Sequence, residues 1–513
     1  MSDMAAANRS PLRIEMLSGC HTRPGNIDTA PVLDRFLNDD RGALASWFGP
    51  EMAAAIHAEP HRLRGLVDRD ILALDALIAA QLDAILHHSR VRQLEGSWRG
   101  LFWMLRGFEP MMRLKTRLMS VRWDEVDRDL SRASGFDQSS LFRLIYENEF
   151  GQAGGEPFGL LVIDHALRHR PDPRGAGAAA PVDDVSVLAS LSAIASAAFV
   201  PMVLGAAPSL FGVDRFEELA LAQDVTAALD DDDHARWRAL TQREDARFLC
   251  VALPRVLARP QWTVSPEHEG GLRYEEDAPT TDQRVWFCAG YAFAAAVGRA
   301  QAMHNWPADV RGVATDRIGG GLVRGLPEEA FVVGAASSWA RPPLDLAFTD
   351  SQERSLVSAG LMPLNTLPYG DCAFASVHSL QARAADGAGR DASGAVANRN
   401  LSAQINAILC VSRFAHSIKI IGRELAGSVS TANEIERRLQ SWLAGYTNAS
   451  QSPDADSRAR HPLVSSRVAV HAHPDRPGSF GCVIQLQPYY QLDDVSATFR
   501  LVTGFTAAGA AAR

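Results

Sequence analysis

Compact apolar runs joined by a helix of small residues constrain the fold of this 513-residue chain more than any other feature. Residues 160–163 and 201–204 are short apolar runs, and 185–199 between them is an apolar stretch rich in Ala and Ser. Short apolar runs of this kind are typical of strands buried on both faces. With an alternating segment at 112–121 before them and another apolar run at 248–253, they predict a mixed α/β core.

The last part of the chain has a different pattern. Three segments there alternate between apolar and polar residues, which predicts three strands, at 466–471, 481–488 and 494–503. We therefore expect an α+β, multi-domain protein with a mixed α/β core and a β-rich C-terminal region. The predicted divisions are a leader at 1–60 with a short strand at 12–17, a core at 61–450, a C-terminal domain at 461–505 and a flexible tail at 506–513. Long helices are predicted at 66–90, 402–425 and 434–446.

The charge and composition exclude several classes of protein. The formal net charge is −9, which has the wrong sign for a general nucleic-acid binder. The mean hydropathy of −0.08 and the lack of a long uninterrupted apolar stretch argue against membrane insertion. The polar N-terminus has no signal core, and the six cysteines are scattered without a C-x-x-C pair. We therefore expect a cytoplasmic protein with reduced, buried thiols.

Motifs for catalysis are absent from the sequence. No Walker A, H-E-x-x-H or G-x-S-x-G motif occurs, and Gly319–Gly321 is a bare glycine triplet that predicts a tight turn or a close backbone approach. The charged run 243–247 invites an active-site interpretation, but ion pairs at the start of a strand are the simpler explanation. We expect no enzyme, no cofactor and no metal ion.

Seven sequence blocks, in the same order along the chain, carry a resemblance to a known family. They include Leu94-Glu95-Gly96-Ser97-Trp98-Arg99-Gly100-Leu101, Gly154–Gly159 followed by Asp164, the 237–255 block, and Ser412–His416 with Lys419. The others lie at 211–219, 311–327 and 477–502. Together they resemble the large subunit of the type VI secretion contractile sheath, the TssC or VipB family.

The resemblance implies a structural protein. Members of this family pair with a small sheath subunit, TssB or VipA, and the pairs assemble into a helical sheath around an inner tube of Hcp rings on a baseplate. Contraction of the metastable sheath would drive the tube and its effectors through a target envelope, so a change of packing between subunits replaces an active site. The alternatives are a phage- or pyocin-type tail sheath protein and an α/β enzyme of unknown reaction.

Two segments are candidates for the subunit interface. By resemblance the C-terminal strand is an arm that joins the sheet of a neighbouring protomer, and the alternative is an ordinary strand of its own domain. One face of this arm would hold Val495, Ala497, Phe499 and Leu501, and the other Ser496, Thr498, Arg500 and Val502.

The first sequence block supplies the second candidate segment, with Leu94, Glu95, Trp98 and Arg99 as candidate interface residues. The spacing of Leu94, Trp98, Leu101 and Phe102 favours a core position for these apolar residues. An interface with the small subunit through the same aromatic face is the alternative.

The sequence departs from the family pattern in places. The leader before residue 60 does not match well, which leaves recognition by the ATPase ClpV open. The usual tyrosine after Asp164 is His165, and two loops, at 171–181 and 381–396, are unusually rich in Ala and Gly. These departures are typical of a divergent branch or a second copy of the family.

Overall fold

The computed structural model of the protein describes most of the chain. The described residues are 12–17, 36–38, 42–108, 114–152, 154–171, 181–264, 271–313, 318–332, 338–367, 370–382, 403–425, 431–448, 454–472, 479–489 and 499–506. They divide into two compact units, which are residues 1–92 with 260–284, and residues 93–259 with 285–513. The α+β class predicted from the sequence is confirmed, with mixed helices and sheets.

The first unit is helical in its N-terminal part, and an ion pair joins two of its helices. The helices are α1 (Leu12–Leu17), α2 (Ala43–Phe48), α3 (Pro50–Ala58) and α4 (His61–Leu86). The predicted strand at 12–17 is therefore wrong. Asp70 is buried in α4 and accepts hydrogen bonds from Arg13 at 2.7 Å and from Trp47 Nε1 at 2.9 Å. The hydrogen bond from Arg13 holds the pKa of Asp70 below its usual value.

A parallel four-stranded sheet forms the centre of the second unit. Its strands lie in the order β1 (Leu161–Leu167), β2 (Met202–Ala206), β3 (Leu249–Leu253) and β9 (Met362–Pro363). Every residue of β2 and β3 is buried, as the apolar runs predict. β1 pairs with β2 alone among the described strands, so β1 is an edge of this sheet.

The helix between β1 and β2 completes the strand–helix–strand unit that the sequence predicts. It is α7 (Asp184–Ala198), and its buried residues include Leu188, Leu191 and Ile194. The segment 114–121 is extended, but it pairs with no strand in the part of the chain that the structure describes. The prediction of a strand in a sheet at 112–121 is therefore wrong for these residues of the free chain.

Further helices and short strands surround the parallel sheet. The helices are α5 (Ser89–Arg106), α6 (Trp123–Arg132), the three short pieces Ser140–Phe142, Arg143–Glu147 and Asn148–Phe150, then α8 (Ala235–Thr241), α9 (Ala289–His304) and α10 (Asp350–Ser358). The strands are β4 (Val256–Leu257) with β5 (Trp286–Phe287), β6 (Leu322–Val323) with β10 (Asn365–Thr366) and β11 (Cys372–Ala373), and β7 (Glu329–Val332) with β8 (Ser338–Arg341).

The C-terminal region is an antiparallel sheet packed on helices. Its strands are β12 (Leu463–Ala472), β13 (Ser479–Pro488) and β14 (Phe499–Thr506), in that order. Its helices are α11 (Ile405–Leu425), α12 (Ala432–Ala444) and α13 (Ala455–Arg460). Alternate residues of β12 and β13 share one buried cluster with α11 and α12, which includes Val468, Ile484, Phe414 and Leu439.

Helix α11 is apolar enough to be mistaken for a membrane span. Its residues 405–424 pass a test of length and hydropathy for spanning a bilayer. However, 72% of the apolar window is buried inside the protein, which is typical of a core helix.

Candidate functional site

Helix α5 contains the first sequence block, and two glycines bring one of its faces against the second unit's core. A Cβ added at Gly96 would lie 2.1 Å from the carbonyl oxygen of Trp286, and one at Gly100 would lie 2.8 Å from Cβ of Phe287. Neither position has room for a larger residue, because real Cβ atoms do not approach so closely. Met104, one turn further on, is buried on the same face. The helix therefore packs through the stripe formed by Gly96, Gly100 and Met104.

The opposite face of α5 is apolar and exposed. Its residues follow each other at helical spacing, and their exposed fractions are 60% for Leu94, 56% for Trp98, 61% for Phe102 and 40% for Leu105. The core position favoured for Leu94, Trp98 and Phe102 is wrong, and only Leu101 packs partly against the core. We call these four residues, Leu94, Trp98, Phe102 and Leu105, the α5 stripe. Exposed apolar side chains that form a row are a mark of an interaction site.

Glu95 holds α5 from within the chain. One carboxylate oxygen accepts hydrogen bonds from Nε of Arg99 and from Nε of Arg259, both at 2.7 Å. Burial raises the pKa of Glu95, but the hydrogen bonds from Arg259 and Arg99 outweigh burial and hold that pKa below its usual value. Glu95, a candidate interface residue, therefore ties α5 to Arg259, whereas the bond from the second candidate, Arg99, lies within the helix.

The candidate C-terminal arm lies partly in the described part of the chain. Val495, Ser496, Ala497 and Thr498 are outside the described residues. Phe499, Arg500, Leu501 and Val502 belong to β14, which pairs antiparallel with β13 of the same chain from Ser479↔Thr506 to Leu486↔Phe499. In the free chain this strand therefore completes its own sheet, and exchange with a neighbour remains a prediction.

The charged run at 243–247 lines a cavity of about 610 Å³. Arg243 donates to both carboxylate oxygens of Asp245, at 2.9 and 2.6 Å, and Nε of Arg247 donates to the backbone oxygen of Glu244 at 2.7 Å. The rest of the lining includes Phe199, Phe248, Ile408 and Val411. Arg243 with Asp245, and Arg247 with the Glu244 carboxylate at 3.9 Å, are ion pairs of the kind expected from the sequence.

His416, from the sixth block, is buried, and Lys419 of the same block is partly buried among aromatic rings. The Lys419 amine lies 4.7 to 5.1 Å from the ring centroids of Tyr146, Phe150 and Phe199, and burial lowers its pKa to about 8. His416 Nε2 lies 3.0 Å from the Ala198 oxygen, and burial lowers the pKa of this imidazole to about 4. A neutral His416 therefore donates to the end of α7, which is a packing role.

The thiols are not activated for nucleophilic attack. Cys250, Cys372, Cys410 and Cys482 are free and buried, and Cys288 is free and partly buried. Burial raises the pKa of Cys288 and of Cys410 to about 12. Reduced thiols stay a prediction for these five residues, and Cys20 lies outside the described residues. Among the described residues, no three His, Cys, Asp or Glu side chains are grouped to hold a metal ion.

The sequence did not identify Leu105 or the packing role of the two glycines. Leu105 continues the α5 stripe by one turn, and Gly96 and Gly100 recur at i and i+4 on the other side of the helix. That glycine spacing within an amphipathic helix is the signal that indicates which face packs closely against another backbone.

Family comparisons give the class of protein to which this fold belongs, which is a tail sheath protein. Residues 68–381 match the EvpB/VC_A0108 tail sheath N-terminal domain, and residues 394–505 match the EvpB/VC_A0108 tail sheath gpW/gp25-like domain. The chain is also 32% identical, over 443 residues and 85% of each chain, to the type VI secretion system sheath protein TssC1 of Pseudomonas aeruginosa strain PAO1. The chain therefore belongs to the large-subunit family of the type VI secretion contractile sheath.

We predict that Gly96→Ala destabilises the protein. The new methyl group meets the backbone oxygen of Trp286, so the helix must shift, and overpacking of this kind costs about 1–3 kcal/mol. The free energy of unfolding in urea measures the loss. The control is Gly65→Ala in α4, where nothing lies within 4 Å of the added Cβ. That variant should gain about 0.5–1 kcal/mol, and a stable Gly96→Ala protein would contradict the packing of α5.

We also predict that the contribution of Glu95 to stability depends on pH. Because its folded-state pKa is lowered, the ionised carboxylate stabilises the fold above the unfolded-state pKa, and the contribution is lost as the pH falls through the folded-state pKa. Glu95→Gln should lose about 1–3 kcal/mol at pH 7, and the difference should narrow as the pH is lowered toward 3. Urea unfolding of both proteins across this range gives the measurement. Glu244→Gln, at a highly exposed carboxylate, is the control, and a difference that does not change with pH contradicts the prediction.

Proposed function

We propose that this protein is the large building block of a type VI sheath and works by assembly rather than by catalysis. It pairs with the small sheath subunit, TssB or VipA, in the bacterial cytoplasm. The pairs stack into a helical sheath around an Hcp tube on a baseplate, and contraction drives effector delivery. Membership of the sheath large-subunit family supports this proposal. Contraction requires two packings of the same subunits that differ in free energy, so the energy is stored between chains.

The observation that carries the proposal is the exposed α5 stripe. Covering one large apolar side chain stabilises a complex by about 1.5–3 kcal/mol, and the stripe offers four such side chains in one row. Trp98 lies near the middle of this row, where interfaces concentrate their binding energy in aromatic anchors. We propose that the small subunit covers the α5 stripe in the assembled pair.

The C-terminal strand ties neighbouring pairs together in this proposal. β14 is the outer strand of its sheet and reaches β13 only after residues 490–498, so the same register can be offered to β13 of another copy. Exchange of an identical element between protomers forms a new interface with the contacts already used within one chain. Each exchanged strand would link one pair to the next along the sheath.

We predict that Trp98→Asp prevents assembly without unfolding the protein. The substitution removes the aromatic anchor from the centre of the covered apolar face. It also buries a carboxylate in the complex, and the two effects together should weaken binding by at least about thirty-fold. Co-expression with the small subunit, affinity recovery of the pair and negative-stain microscopy measure the loss. Leu221→Asp is the control, because Leu221 is 94% exposed and lies outside the α5 stripe. Normal tubes from Trp98→Asp would exclude the stripe as the interface.

We predict that a chain ending at Asp494 folds but does not form tubes. The truncation removes β14, whereas β12 and β13 keep their buried contacts with α11 and α12. The truncated protein should still recover the small subunit and unfold cooperatively, and microscopy should show short or no tubes. Tubes of normal length from the truncated protein would refute strand exchange. A full-length chain that is a stable monomer beside the small subunit, and that turns over a substrate, would favour the enzyme alternative instead.

A further inference from the structure

Residues 114–122 run without a turn or a bend into α6, and the backbone of residues 114–121 has no backbone partner among the described residues. No backbone N–H or C=O of residues 114–121 bonds to another backbone group in the described chain. Residues 115–122 are all exposed. Backbone groups of a folded protein that have no partner within the chain bond to water or to another chain. We call residues 114–122 the open segment.

The side chains of the open segment are unlike those of a hydrated loop. Leu118 and Met119 are 64% and 52% exposed, and Val121 is 42% exposed. In an extended chain Leu118 points to one side, whereas Met119 and Val121 point to the other. Apolar residues on both sides are typical of a strand that becomes covered on both faces.

Contacts at both ends hold the open segment in its extended shape. Near its start, Lys115 forms an ion pair with Glu156, and the Arg117 guanidinium lies 5.3 Å from the Phe158 ring centroid. Arg117 also forms an ion pair with the buried carboxylate of Glu149. These contacts fix the first residues of the segment without using its backbone groups.

The far end is fixed by Trp123, directly after the open segment. Its ring stacks on His165 of β1 at 4.1 Å, and its Nε1 donates to the buried Asp184 at 2.7 Å. His165, which departs from the family pattern, also lies 3.0 Å from Asp184. Because the contacts follow the same order along both stretches, the open segment runs in the same direction as 156–165, beside the edge strand β1.

We propose that the open segment is a preformed docking edge for a strand of the small sheath subunit, an inference that rests on the proposed function. An extended peptide adds to such an edge by main-chain hydrogen bonds, and pockets for alternate side chains select its sequence. Nine residues are enough to pair with a strand of ordinary length. The incoming strand carries apolar residues that cover Leu118 on one face and Met119 with Val121 on the other.

A different chain fits this edge better than a second copy of the same segment. Two copies of one segment that pair antiparallel are related by a two-fold axis, and such an interface closes after two chains. A strand from another polypeptide leaves the protomer free to continue a helical lattice. The occupant is therefore assigned to the small subunit.

Hydrogen exchange gives a direct measurement on the wild-type protein. The amides of residues 115–121 should exchange at nearly unprotected rates in the isolated chain, because nothing in the described chain accepts their hydrogen bonds. Pairing with the small subunit should slow exchange in this segment by about a hundred-fold. Equal exchange with and without the small subunit would overturn the inference.

Proline substitutions test pairing through the backbone. Proline removes an N–H that the free chain does not use, so Leu118→Pro and Met119→Pro should keep the wild-type unfolding midpoint. The N–H groups of neighbouring residues point to opposite edges of a strand. At least one of the two variants should therefore lower recovery of the co-expressed small subunit by about ten-fold.

Leu118→Ile and Met119→Ile are the matched controls, because isoleucine keeps the N–H, the apolar surface and the strand preference. They should recover the small subunit at the wild-type level. If the isoleucine variants lose as much as the proline variants, side-chain packing explains binding and the docking edge is refuted. If both proline variants bind normally beside a wild-type chain that assembles, only this inference fails. If the wild-type chain recovers no small subunit, the proposed function fails with it.

Discussion

The close contact between helix α5 and the strand that carries Trp286 and Phe287 determines which face of α5 is left uncovered. Gly96 and Gly100 permit that contact, since a methyl group at either position would collide with the facing residues. The hydrogen bond that Arg259 donates to Glu95 ties the helix to the part of the chain just after β4. Because a helix side chain two positions away lies on the opposite face, this packing directs Trp98 and its neighbours into solvent. The same residues that stabilise the fold thus create its uncovered surface.

The described residues leave two kinds of group uncovered in the free chain. The α5 stripe exposes apolar area, and the open segment exposes backbone donors and acceptors together with apolar side chains. A partner chain would cover the apolar area of the α5 stripe by hydrophobic burial and the backbone groups of the open segment by sheet pairing. One partner could therefore cover both. β14 already pairs with β13 in the free chain, so its exchange would change the partner but not the hydrogen bonds. In the proposed sheath, a lattice built from such exchanges would rearrange with little net loss of hydrogen bonds.

Much of the fold could be predicted because local patterns determine it. The buried runs of β2 and β3 and the helix α7 follow from apolar periodicity alone. Periodicity does not reveal what covers a face. Leu94, Trp98 and Phe102 have core spacing yet face solvent. The alternation at 112–121 is that of a strand, yet residues 114–121 pair with no strand among the described residues. Both errors have one physical origin in the proposed function, because apolar residues of an interface would follow the same spacing as those of a core. The cap that starts α12, in which Thr431 and Glu434 bond to each other's backbone, is by contrast set locally.

Photo-cross-linking inside intact sheaths tests the central claim, that the uncovered α5 stripe is covered by a different chain. Benzoylphenylalanine in place of Trp98 keeps a large aromatic group at the centre of the stripe, and irradiation joins it to whatever lies against it. Mass spectrometry of assembled sheaths should then show an adduct of this chain with the small subunit, and disassembled chains should give none. Adducts only within this chain, or no adduct in intact sheaths, would contradict the account.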